Sequence, residues 1–125
     1  MTDSILNDTK KMLNMSPDYT AFDTDIIINI NAAFSVLTQL GVGPEEGFII
    51  EDATIPWSDF LGTDRRLYFV KVYIYLKARL VFDPPATSFA LDAVKEQIKE
   101  LEVRLNIHRE GESWVSPFPP AVTTT

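Results

Sequence analysis

Residues 64–82 read DRRLYFVKVYIYLKARLVF. Thirteen of the sixteen residues from Leu67 to Phe82 are apolar or aromatic, and only Lys71, Lys77 and Arg79 interrupt them. A segment apolar on nearly every side has to be covered on nearly every side. It is too short and too charged to cross a bilayer, which takes about 20 mostly apolar residues. Val, Ile, Tyr and Phe also suit a buried strand, but the run far exceeds the usual strand of about 5–6 residues. Its ends carry helix punctuation: Gly62-Thr63-Asp64 offers a turn and a capping carboxylate, and Asp83-Pro84-Pro85 stops a helix sharply. The stretch is therefore a central buried helix, with its three cations emerging through gaps between neighbours.

Outward from it, the neighbours are helical as well. In residues 3–14, Ile5, Leu6, Thr9, Met12 and Leu13 make one amphipathic stripe behind a cap at Asp3 or Ser4. Ser16-Pro17-Asp18 signals a turn. A second helix is expected from Thr24 to Leu40, with Asp23 as N-cap and Phe22 stapled to Ile27. Its apolar face is Ile26, Ile27, Ile30, Ala33, Phe34, Leu37 and Leu40, and Gly41 stands at its C′ stop. Beyond Asp83-Pro84-Pro85, Ser88 caps a last helix from Phe89 to Arg109. Leu91, Val94, Ile98, Leu101, Leu105 and His108 form its seam, and Glu100 and Arg104 an i, i+4 pair. His108, near the helix end, reads as an edge or capping residue rather than a ligand. The fold class is all-α: a small four-helix bundle around a central buried helix, with a long loop and an extended C-terminal arm.

The loop, residues 42–63, is the least regular part. Phe48-Ile49-Ile50 reads as a short extended segment, and Trp57-Ser58-Asp59-Phe60-Leu61 as one helical turn capped by Ser58 and ended by Gly62. Loops this long are often functional, and its large apolar side chains must pack on something. Two readings are open: Trp57 and Phe60 cover the open side of the bundle, or the loop docks on a neighbouring subunit. The loop holds five acids and no bases, whereas residues 64–82 hold five bases and one acid. The two segments either pair, within the chain or between copies, or are separately solvated. The arm from Gly111, which is expected to break the helix, bears Trp114, Val115 and Phe118 among Pro117, Pro119 and Pro120. Such a segment favours an extended polyproline-like path. It either folds back over its own bundle or adds to another surface. The organisation is thus a helical domain over residues 1–110 and an arm over residues 111–125.

Composition excludes much chemistry. The 125 residues make one domain, and the net charge of −7 argues against phosphate-backbone binding as the main function. With no cysteine and one histidine, thiolate sites, disulfides and the usual triads lack parts. No phosphate-binding loop is present, and Glu45, Glu46, Glu51 and Asp52 match no calcium-loop pattern. No enzymatic activity, cofactor or metal is expected. The polar, acidic start is no signal peptide, so a cytoplasmic protein is expected.

The order of several segments resembles a known family. An early DSILNDTKKMLN helix is followed by a helix ending Leu40-Gly41-Val42-Gly43, then by an acidic loop with WSDFL at residues 57–61. A YIYLKARLVFDPP helix ending and a last helix near IKELEVRLNIHRE complete the series, over roughly residues 3–109. Together they resemble the head–tail connector (adaptor, head-completion) proteins of long-tailed phages and prophages of Gram-positive bacteria. The resemblance implies a non-enzymatic helical subunit that assembles as a ring, typically of about twelve copies, beneath the portal protein. There it would extend the DNA channel and dock the next neck or tail component, placing it at the virion neck after synthesis in the host cytoplasm. DNA would pass without specific binding, and no membrane would be involved. Trp57, Asp59 and Phe60 are the candidate inter-subunit contacts; Trp114, Val115 and Phe118 would anchor the arm on the portal or a neighbour. The alternatives are a tail-completion or neck protein on the tail side, and a monomeric helical partner-binding module.

Overall fold

The computed structural model describes residues 4–113, with side chains for residues 4–106. Five helices follow in order among the described residues: α1 (Ile5–Met12), α2 (Asp23–Gln39), α3 (Ser58–Leu61), α4 (Arg66–Phe82) and α5 (Ser88–Ser113). α4 packs against α1, α2 and α5. Its Val70, Tyr73, Ile74 and Ala78 are fully buried, so the all-α bundle is organised around the central helix expected from residues 64–82. A side chain the size of Val70 or Ile74 contributes about 1.5–3 kcal/mol by leaving water. Coverage is incomplete, however. Tyr68 and Val81 are exposed, because three neighbours, one only two turns long, cannot enclose all sides of a seventeen-residue helix.

The helix ends differ from expectation in instructive ways. Ser4 caps α1 by accepting from the Asn7 amide at 3.1 Å. α2 has no side-chain cap. Asp23, the expected N-cap, instead lies 2.7 Å from Nζ of Lys10, whose side chain is 1 % exposed. That contact is ionic without hydrogen-bond alignment, and Lys10 Nζ also donates to the Pro17 carbonyl at 3.0 Å. Phe22, expected to staple Ile27, is 43 % exposed and sets its ring edge-on to Tyr19. At the other end, Gly41 (φ 83°) and Val42 return amide hydrogen bonds to Thr38 and Leu37, the double bond of a Schellman stop. Val42 is thereby buried at the start of the loop.

Asp64 accepts from the Arg66 amide and holds the Arg66 guanidinium at 2.7 Å, while Arg65 occupies the cap position of α4. Asp83 ends that helix through its amide to the Arg79 carbonyl. Thr87, not Ser88, caps α5, its hydroxyl accepting from the Ala90 amide at 3.1 Å. Val94, Ile98 and Leu105 of the expected seam are buried, and Arg104 meets Glu100 at 3.2 Å. Side-chain placement of His108 lies outside the described residues. Gly111 does not break α5, which continues through it to Ser113. One glycine costs a helix only about 1 kcal/mol, too little to end one that long by itself.

Candidate functional site

The loop between α2 and α4 is fastened to the bundle along its length. At its start, Gly43 (φ 87°) brings the backbone against Phe60 so closely that an added Cβ would lie 2.3 Å from the ring. Phe34, Phe48 and Phe60 form a three-ring cluster with centroids 4.6–5.1 Å apart. The Asn31 side-chain amide acts as a strand partner: it accepts from the Ile50 amide at 2.8 Å and donates to the Ile50 carbonyl at 2.9 Å. Further on, the Ile5 amide reaches the Ile55 carbonyl at 3.0 Å, and Ser4 and Pro56 form an isolated antiparallel bridge. Trp57 Nε1 donates to Asp8 Oδ2 at 2.8 Å. The expected extended segment therefore carries no ladder and hangs on a helix side chain instead. The turn α3 has no side-chain cap from Ser58; Trp57 holds the cap position, and Gly62 closes the turn through its amide to the Ser58 carbonyl.

This anchoring sorts the loop into two layers. Trp57 and Phe60, candidate subunit contacts by sequence, are 1 % and 3 % exposed and sit in the core of their own chain. Asp59, Glu45, Glu46, Glu51 and Asp52 are each exposed. The Asp52 carboxyl accepts from the Thr54 hydroxyl and amide, which lower its pKa from the ordinary value. Among the described residues, none of these acids pairs with a base of α4. The bases find other partners. Lys71 lies 5.6 Å from the centre of the Trp57 ring and Lys77 5.9 Å from that of Tyr73. Arg79 donates to the Asp83 carbonyl. Among the described residues the in-chain pairing of acidic loop and basic helix is thus absent, and the loop acids are exposed while Trp57 and Phe60 are buried. Trp114, Val115 and Phe118 lie outside the described residues.

Two apolar surfaces went unnoticed in the sequence. One lies between α2 and the end of α4, where Phe22, Ile28 and Val81 are exposed. The other is a groove of about 330 Å³ between α4 and α5, lined by Tyr68, Phe69, Val72, Tyr75 and Leu101 with Gln97, Glu100 and Arg104 beside them. The available signal was the apolarity of α4 on nearly every side, which exceeds what three neighbours cover. Tyr73 is distinct from these surface tyrosines: it is buried and donates to Glu102 Oε2 at 2.7 Å. Burial, then the hydrogen bond and the charge of Glu102, hold its hydroxyl well above the usual phenol range.

Among the described residues, no cluster of three or more side chains suited to a metal is present, and no helix is long and apolar enough to cross a membrane. What the surface shows is exposed apolar side chains and exposed acids on a loop fastened to the bundle. Comparison with curated proteins and with solved structures gives no match. A family model described as phage connector protein matches residues 5–112, nearly the whole of the described chain. The chain belongs to the phage connector protein family.

Proposed function

We propose that the chain is a structural head–tail connector subunit that assembles as a ring under the portal protein, lengthens the DNA channel and docks the next neck or tail component. Membership of the connector family carries this reading, and such a role is structural and places the protein at the virion neck. The surface supports it: a small chain that leaves Tyr68, Ile28, Val81 and Phe89 exposed has more apolar area on view than its own helices cover. The unpaired acids of the loop suit a wall past which DNA slides without adhering. Asp59, exposed on the loop, is its candidate for subunit contacts, since Trp57 and Phe60 are spent on holding the loop. Trp114, Val115 and Phe118 would anchor the arm on the portal or a neighbouring copy.

The test is mass by light scattering, on the protein alone and with the portal protein encoded beside it. A ring-sized species or a stoichiometric complex with portal is expected. A monomer under both conditions, together with binding to tail-tube protein, would move the subunit to the tail side. A monomer that binds neither would overturn the connector reading in favour of a monomeric partner-binding module.

A further inference from the structure

We propose that the tyrosine-lined groove between α4 and α5 of one copy receives the proline-rich segment around Pro117-Phe118-Pro119-Pro120 of a neighbouring copy. The inference rests on the self-assembly proposed above and names the surface that the arm would use.

The groove has the chemistry of a polyproline-binding surface. Tyr68 is 68 % exposed and stands edge-on to Phe69, with ring centroids 5.4 Å apart. Tyr75 follows Tyr68 by seven residues, two turns along the same side of α4, and Val72 lies between them. Grooves lined by aromatic rings bind proline-rich segments because the flat rings pack on the pyrrolidine faces of a preformed extended helix. A polyproline-like segment makes no internal hydrogen bonds, so its carbonyls are free to accept from donors in the groove. Among the described residues, the hydroxyls of Tyr68 and Tyr75 have no hydrogen-bond partner, and Gln97 stands exposed at the edge. The groove volume of about 330 Å³ admits one or two side chains, such as Phe118 with a flanking proline, rather than a helix.

The same chain supplies the fitting ligand, and its path favours a neighbour. α5 passes through Gly111 and continues to Ser113, so the one glycine available to reverse the chain is used as helix. Nine residues of helix, about 13 Å, separate Arg104 at the groove from Ser113. Residues 114–125 contain three prolines and no glycine, a composition that favours an extended path leading on from α5. Extended at about 3.1 Å per residue, the segment would reach roughly 35 Å beyond α5, enough to lie across an adjoining subunit.

The absence of cysteine makes a disulfide test clean. Full-length chains carrying Gln97→Cys and, separately, Ser116→Cys are mixed, one bearing an affinity tag, and oxidised mildly with and without portal protein. A third chain carries both substitutions, and Glu45→Cys with Ser116→Cys is the control pair. A mixed dimer between differently tagged chains, well above the control pair, is expected. Tyr68→Ala, at an exposed position, should reduce it by about threefold or more. Closure of the double-cysteine chain on itself would overturn the proposal in favour of the chain's own arm. Cross-linking at the control level in a ring seen by light scattering would overturn it while leaving the connector reading intact. Failure to form a ring or a portal complex at all would remove both.

Discussion

Trp57 and Asp8 are joined by a 2.8 Å hydrogen bond between positions 49 residues apart, and this bond ties the loop's helical turn to the first helix. The indole is 1 % exposed and has Lys71 over its ring, so loop, α1 and α4 meet at one side chain. Trp57→Phe keeps most of the aromatic packing but removes the donor. A loss of about 1–3 kcal/mol is expected in urea denaturation. Combined with Asp8→Ala, the double variant should lose less than the sum of the two, and full additivity would show that the bond carries no energy.

Gly43 tests the close approach of backbone and ring. Gly43→Ala forces a positive φ of 87° on an L residue and puts a methyl 2.3 Å from Phe60 Cε1. A destabilisation of about 2 kcal/mol or more is expected. Phe60→Leu in the same chain removes the ring edge and should relieve part of that loss, leaving the backbone strain. Thermal unfolding of the two single variants and the double variant measures the coupling.

Lys10 is a buried cation whose partner, the Asp23 side chain, is still 27 % exposed. Lys10→Met retains the stem but strands the Pro17 carbonyl and the Asp23 carboxylate. The expected cost is about 2–3 kcal/mol, below the 3–5 of a fully buried pair because water reaches Asp23. Adding Asp23→Leu should restore much of the stability, since an apolar pair of similar volume avoids the desolvation of two charges.

Tyr73 gives the protein an alkaline signature. Its folded-state pKa is raised above the ordinary value of 10.0, mainly by burial and then by Glu102. Below that value both folded and unfolded chains hold the phenol proton and the contribution is fully present. Above it the unfolded chain releases the proton while the folded chain retains it, so stability falls with rising pH. Tyr73→Phe has no such proton. The stability advantage of the natural chain over Tyr73→Phe should be constant from pH 7 to 9 and shrink above about pH 10. A difference independent of pH would show that the hydroxyl is not held neutral.

Ending the chain at Ser113 should shift the melting temperature by no more than about 2 °C, while lowering the mass of assembled species. A large drop in melting temperature would mean that residues 114–125 cover the bundle.

The bundle was legible because its signals are local. The apolar run Leu67–Phe82 with Asp83-Pro84-Pro85 behind it, the i, i+4 stripe of residues 5–13 and Gly41 after Leu40 each depend on neighbours within a few positions. Capping was less legible. Asp23, Ser58 and Ser88 all have N-cap chemistry, yet each was displaced by a competing arrangement: an ion pair with Lys10, a turn begun at Trp57, and a cap at Thr87. Several short polar side chains near a helix start are chemically equivalent caps, and the entry path of the chain selects among them.

The sequence by itself determined the all-α class, the central helix, the order of segments that marks a connector, and the absence of thiol chemistry. Tertiary structure decided which aromatics face inward. Trp57 and Phe60 could by sequence cover their own bundle or dock on a neighbour, and Asp8 and the Phe34–Phe48–Phe60 cluster draw them into the core, whereas Tyr68 and Tyr75 of the helix expected to be enclosed line an open groove. The reason is geometric. Helix periodicity states which side chains share a face, but how many faces find a neighbour depends on the lengths and crossing of the other helices. Here the helices of the chain leave Tyr68 and Val81 of α4 exposed.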